Sequence, residues 1–285
     1  MNFIILKRKA AVVMRIDFHN HLFPDALAAR TIPHLAQVSQ VPPHSDGTVA
    51  STLQRMREWG TDLAVIQHIA TKPGQQHNVN KFAVQVQAEN PQLLCFGSVH
   101  PLDAQALEEL DFIHQSGLHG LKLHPAYQQC FAIDKAYFPI YEKLEHLGLP
   151  VLFHAGLDPV SPTNYAPADD LAAIAETFPK LTIIAAHMGS VGDPEQARKL
   201  CKYENVYFDT SLASLFFDPK TYEHLIREKG VDHVLFATDC PWSTAPAELA
   251  LLQQLHLTPE EFERIYWKNA VQLLQLKIET PHTGA

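Results

Sequence analysis

Apolar residues recur along this chain in two alternating patterns. Short continuous runs bounded by turn residues read as buried strands, and stretches with an apolar residue every three or four positions read as helices. The runs fall at Val12 to Phe18, Asp62 to His68, Leu93 to Val99, Gly120 to Pro125, Pro150 to His154, Leu181 to His187, Asn205 to Asp209 and His233 to Asp239. Helical spacing lies between them, as in Val49, Leu53 and Met56, in Val79, Phe82, Ala83 and Val86, in Tyr137, Ile140, Tyr141 and Leu144, and in Leu171, Ile174, Ala175 and Phe178. A proline-containing segment joins the first strand to Ser45-Asp46, read as a helix cap. Asp103 and Asp134 read as further caps, Gly117 and Gly148 as stops, and Thr258-Pro259 with Glu261 as a capping box.

Eight strand–helix alternations, with strands that are continuously apolar, predict parallel strands covered on their outside. The closed form of that arrangement is the (β/α)8 TIM barrel of roughly 250 residues. It would occupy residues 14–278 as one domain, with an N-terminal extension over 1–13 and a flexible tail over 279–285. A doubly wound open sheet is the rival, but it calls for a glycine-rich phosphate loop after an early strand, and none is present.

Composition narrows the partners. The chain has 285 residues, 46% hydrophobic, with a formal charge of −9. Its basic residues are scattered after residues 7–9, which is no footprint for nucleic acid and leaves a small-molecule partner. Cys95, Cys130, Cys201 and Cys240 show no CxxC spacing and read as reduced thiols of a cytoplasmic protein. The first residues have the wrong order and length for a signal peptide or membrane anchor, and no other stretch approaches a spanning helix. Met14 is an alternative start, and a homodimer is compatible with all of this.

The chemistry gathers at the strand ends. In such barrels reactions occur at the C-terminal ends of the strands, and here those ends carry His19 and His21, His68, His100, Lys122 and His124, His154, His187, and Asp239. One histidine at such a place is ordinarily a packed residue, but histidines at six of eight ends would crowd costly polar groups around one mouth unless they share an ion. Residues i and i+2 of a strand face the same way, so His19 and His21 aim at one point. Neutral imidazoles with one carboxylate suit Zn2+ with a position open for water. The best ligand set is His19, His21, His154 and Asp239. His187 is placed to exchange a proton with water or substrate, and Asp17, on the face of His19, reads as a supporting neighbour.

These motifs, Ile16-Asp17-Phe18-His19-Asn20-His21, Gly120-Leu121-Lys122-Leu123-His124-Pro125, Phe153-His154-Ala155-Gly156, Ala186-His187-Met188-Gly189 and Ala237-Thr238-Asp239-Cys240-Pro241, resemble the amidohydrolase superfamily over about Ile16 to Leu276. The nearest branch is the amidohydrolase-related one that includes aminocarboxymuconate semialdehyde decarboxylase. The resemblance implies that His19, His21, His154 and Asp239 are metal ligands. It implies that His187 activates water in single-metal members and binds the ion in two-metal ones. Asp239 would also accept a proton as a catalytic residue. Strand four leaves a choice open: carboxylated Lys122 would bridge two ions, whereas an ammonium there would neutralise a substrate carboxylate or Asp239, with His124 on the same face. One ion is favoured.

Two reactions fit one metal site. The first is hydrolysis, in which metal-activated water attacks a C–O or C–N bond of a small ester, lactone or amide. The alternative is a non-oxidative decarboxylase (carboxy-lyase) acting on an unsaturated or aromatic acid. A non-catalytic metal-binding barrel is a minor third reading, and the acidic charge and lack of a strand-four glutamate count against a related deoxyribonuclease. The loop Ser161 to Tyr165 and the region of Trp242 are expected to line the pocket, and Lys122, Arg15 and Arg30 are the basic groups considered for an acidic substrate.

Overall fold

A computed structural model describes residues 4–5 and 13–279. Eight parallel strands form the core: β1 (Ile16–Asn20), β2 (Leu63–Gln67), β3 (Leu93–Phe96), β4 (Leu121–Leu123), β5 (Val151–Phe153), β6 (Ile183–Ala185), β7 (Val206–Asp209) and β8 (Val234–Leu235). β1 to β3 pair in order, as do β4 to β8, all in parallel. A bridge between Gly97 and Leu121 joins the two groups, and one between Asn20 and Cys240 closes the ring. At that seam Phe18 N donates to Phe236 O at 2.8 Å and Asp239 N to His19 O at 2.8 Å. The result is the expected (β/α)8 barrel.

Near-complete burial of both strand faces explains why the strands read as unbroken apolar runs. Ile16, Phe18, Leu63, Val65, Leu94, Phe96, Leu152, Ile184 and Leu235 fill the barrel interior, while a larger layer including Ala64, Leu121, Phe153, Ile183 and Phe208 packs against the surrounding helices. Full burial of one such aliphatic side chain contributes about 1.5–3 kcal/mol. These layers hold the strand ends in fixed relative positions.

The differences from the expected elements have local causes. Asp25–Ser39 is a helix with Pro33 inside it, where the sequence suggested only a connecting segment. Only Ala28 and Ile32 of this helix are buried, so it offers no broad core stripe to detect. The next helix, Val49–Trp59, is capped by Thr48, whose side chain accepts from Ser51 N. Asp46 instead accepts from Thr48 N at 2.9 Å and fixes the cap. The eighth strand is shorter than its apolar run because side chains take its later amides: Ala237 N donates to Thr210 Oγ1 and Thr238 N to Asp17 Oδ1. The Thr258 capping box forms as expected.

Most of the proposed 1–13 extension and 279–285 tail lies outside the described residues, although Ile4–Ile5 pairs in parallel with Ile278–Glu279. Among the described residues, no helix is long and apolar enough to cross a membrane.

Candidate metal centre

β1 delivers His19 and His21 to the C-terminal end of the barrel, and their outer nitrogens are already engaged. His19 Nδ1 lies 2.9 Å from Asp209 Oδ2, and His21 Nδ1 lies 2.9 Å from the Gln67 carbonyl oxygen. Both partners are acceptors, so each ring carries its proton on Nδ1 and turns a bare Nε2 inward. These two Nε2 atoms are 3.2 Å apart. Asp239 Oδ1 approaches them at 3.3 and 3.1 Å, yet it is buried without a hydrogen-bond partner. Two imidazole nitrogens and a carboxylate oxygen converging with no proton between them repel one another, and Lys122 Nζ, 3.2 Å from His19 Nε2, relieves only part of that repulsion. A divalent cation converts that repulsion into ligation, and the N,N,O donors suit zinc or a related ion.

The electrostatics keep these groups in ligating form. Burial, then the charge of Lys122, holds the His19 imidazole well below its usual range. Burial alone would raise Asp239, but any proton entering the site is held by His19, His21 or His187, whose positive charge then outweighs burial and brings the carboxyl down to about 2. Asp239 and His187 adopt φ of 66° and 58°. This left-handed backbone is costly for non-glycine residues and is retained where surrounding structure dictates side-chain direction. Gly189, two residues after His187, has φ 86°, and a Cβ there would lie 2.6 Å from the Phe208 ring.

The other expected residues surround this trio. Lys122 is fully buried, with Nζ 3.2 Å from His19 Nε2. Burial lowers its ammonium to about 8 against the opposing pull of Asp239, Asp209 and Asp158. Ser211 Oγ donates to Asp209 and lies 2.8 Å from His187 Nδ1. With its hydrogen committed to Asp209, the hydroxyl accepts from His187, leaving His187 Nε2 bare and 3.1 Å from His154 Nδ1. His154 is thus linked to the site through His187, and its other nitrogen faces Asp158 Oδ2 at 3.6 Å. His124 stacks on His154 at 4.5 Å and points Nε2 at that same Asp158 oxygen, 3.5 Å away.

The count of strand-end histidines included two that do not line the cavity. His68 packs edge-on against Phe82, and burial lowers it to about 3. His100 Nδ1 accepts from Leu102 N. Cys240, beside Asp239, is a core thiol that burial pushes up.

Sequence reasoning passed over Asp209, Ser211, Asp158 and Gln67. Asp209 had a signal: it ends its strand as His154 and His187 follow theirs. Asp17 does tie β1 to the Asp239 segment, accepting from Thr238 N at 2.9 Å and Thr238 Oγ1 at 2.6 Å.

Above the centre lies a cavity of about 740 Å³ whose lining includes His19, His21, Lys122, His124, His154 and Asp239. Ser161, Tyr165 and Trp242 line it as expected, whereas Arg15 and Arg30 do not. One wall is braced by Glu248, 2% exposed, which accepts from Ser214 N at 2.9 Å, Ser214 Oγ at 2.6 Å and Ser243 Oγ at 2.5 Å. Burial pushes Glu248 up to about 7 despite these bonds. A carboxyl raised on folding contributes stability below its unfolded value, lost as pH rises through the folded one. Glu248→Gln cannot titrate, so the wild type should lose a few °C of melting temperature relative to this variant between pH 5 and pH 8.5. Thermal denaturation of both proteins across that range checks this, and a pH-independent difference would refute it.

Comparison with known proteins places this geometry in context. An uncharacterized TIM-barrel protein from Bordetella bronchiseptica is similar at a TM-score of 0.76 and 19% identity, over 92% of this chain and 98% of that one. A dihydroxybenzoic acid decarboxylase from Polaromonas sp. JS666, with bound manganese and the inhibitor 2-nitroresorcinol, is similar at 0.69 and 16%, over 93% and 97%. A 4-oxalomesaconate hydratase from Rhodopseudomonas palustris is similar at 0.66 and 21%, over 92% and 96%. A search of the curated proteins gave no match. The sequence model of the family described as amidohydrolase matches residues 16–276, which contain all eight barrel strands and every residue placed at the metal centre above. This chain is an enzyme of the metal-dependent amidohydrolase family.

Proposed function

We propose that this enzyme hydrolyses a C–O or C–N bond in a small ester, lactone or amide, using one divalent cation held by His19, His21 and Asp239, with His154 as a fourth ligand once it turns a nitrogen from His187 or Asp158 toward the ion. The observation that carries this reading is the convergence of the bare His19 and His21 nitrogens on the partnerless Asp239 oxygen at the base of a cavity. Zinc suits these donors best, with manganese the other choice because the Polaromonas decarboxylase was determined with it bound. When bound, such an ion polarises a carbonyl oxygen and lowers the pKa of water.

The protein's own groups divide the remaining work. Asp239, ionised at neutral pH, takes the proton of the attacking water. His187, held by Ser211 and by its backbone bond to Asp209 (3.0 Å), receives that proton from Asp239 on its bare Nε2 and passes it to the departing oxygen or nitrogen. The Lys122 ammonium orients the oxygen that gains charge.

Decarboxylation of an unsaturated or aromatic acid is the second reading. It is favoured by the fully buried Lys122 cation, suited to a substrate carboxylate, and by the decarboxylases among the similar structures. A panel of lactones, esters, amides and carboxylated aromatics, assayed for both acid release and carbon dioxide, separates the two. Acid release without carbon dioxide is expected; carbon dioxide without hydrolysis would replace the first reading by the second.

A further inference from the structure

The cavity is much larger than the proposed reaction requires. A reacting head group of six heavy atoms fills at most about 180 Å³, even at the ~30 Å³ that a water molecule claims in the liquid. Most of the 740 Å³ therefore lies beyond the reacting atoms.

That surplus space has apolar walls. Val38, Val160, Leu215 and Phe216 are 37%, 43%, 52% and 47% exposed, and all four line the cavity. They make up four of the ten strongly exposed large apolar side chains among the described residues. Such clustering of exposed apolar surface in one concave place marks a binding site more often than chance.

The walls come from separate elements. On the helix Asp25–Ser39, Leu35 and Val38 fall three positions apart and share a face. This face lines the cavity while Ala28 and Ile32 anchor the helix to the barrel. Leu215 and Phe216 belong to the short helix Ala213–Phe216, held by the bonds from Ser214 to Glu248. The helix that was hardest to read from sequence is thus one that shapes the cavity.

Charge argues the same way. Among the described residues, no arginine lines the cavity and its lysines are Lys122 at the base and Lys72, the latter exposed. Asp158 lies near the base and repels a second anionic group.

We infer that the substrate carries an apolar tail of several carbons, lying against Leu35 and Val38 and against Leu215 and Phe216. The inference rests on the proposed hydrolysis for its reacting end, but the tail site can be read without turnover.

The test uses the metal-loaded, full-length enzyme with γ-lactones of increasing alkyl length, from γ-butyrolactone to γ-decalactone, each taking up one water to give its hydroxy acid. In parallel, calorimetry measures the binding of straight-chain carboxylates from acetate to octanoate. Both kcat/KM and affinity should rise about two- to fourfold per added methylene until the cavity is full, as expected for partial to full burial of each group. Leu215→Asp and Val38→Asp should flatten that dependence, with circular dichroism confirming their fold. Affinity that rises with chain length while neither the lactones nor the matching straight-chain esters and amides are hydrolysed keeps the tail site and rejects the hydrolase reading. Hydrolysis or binding that is flat with chain length overturns the tail site. A wild-type dimer that Val38→Asp and Leu215→Asp both convert to monomer also overturns it, by making this rim an interface between copies of the chain.

Discussion

Asp239→Asn should lower kcat/KM by about 10³-fold or more and strip most of the bound metal. Asn keeps the shape of Asp239 but removes the carboxylate that, alone among the described residues, lies against both the His19 and His21 Nε2 atoms. The stabilisation that a metal gives to developing charge is several kcal/mol, and each 1.36 kcal/mol is tenfold in rate, which sets that magnitude at about 10³. The substitution should leave the barrel folded, because the backbone bond from Asp239 N to His19 O is untouched. Steady-state kinetics on the best substrate, with elemental analysis of the purified variant, measures both effects. Full metal occupancy with wild-type turnover would remove Asp239 from the centre.

Asp209→Asn is the second large effect, and it acts at a distance from the reacting atoms. Fully buried Asp209 accepts from His19 Nδ1 at 2.9 Å, His187 N at 3.0 Å, Ser211 N at 3.1 Å and the Ser211 hydroxyl. An amide replaces one acceptor oxygen with a donor. Facing His19, that donor would force the ring proton onto Nε2, where a lone pair is needed; facing Ser211 and His187 N, it would leave buried donors unpaired. Loss of such an orienting carboxylate typically costs 10- to 100-fold in metal affinity. Chelator competition should show that loss, with kcat falling in step when metal is subsaturating and partial rescue at excess metal. A variant that only melts earlier, with unchanged metal affinity, would make Asp209 purely structural.

The strand framework and the cavity-facing strand ends were readable because both strand faces are buried, which makes each strand an apolar run ending in a polar residue. His19, His21, Lys122, His154, His187 and Asp239 all line the same cavity. What sequence reading lacked was the layer behind them. Asp209 looks like any strand-terminal acid until the fold brings it 2.9 Å from a histidine 190 positions away. The Gln67 contribution to His21 is a backbone carbonyl and leaves no mark on residue type. The helix Asp25–Ser39 escaped notice because its Leu35 and Val38 line a cavity instead of completing a core stripe, and because Pro33 reads as a break. His68 and His100 show the opposite error, in which position suggested chemistry and burial supplies only packing.

The most direct measurement is a calorimetric titration of zinc into metal-free protein, run in parallel on the wild type and Asp239→Asn. The expected result is one tight ion per chain in the wild type and a large loss of affinity in the variant. No tight binding by the wild type, or unchanged affinity in Asp239→Asn, would contradict a metal centre built on His19, His21 and Asp239. Two tight ions per chain would contradict the single-ion assignment.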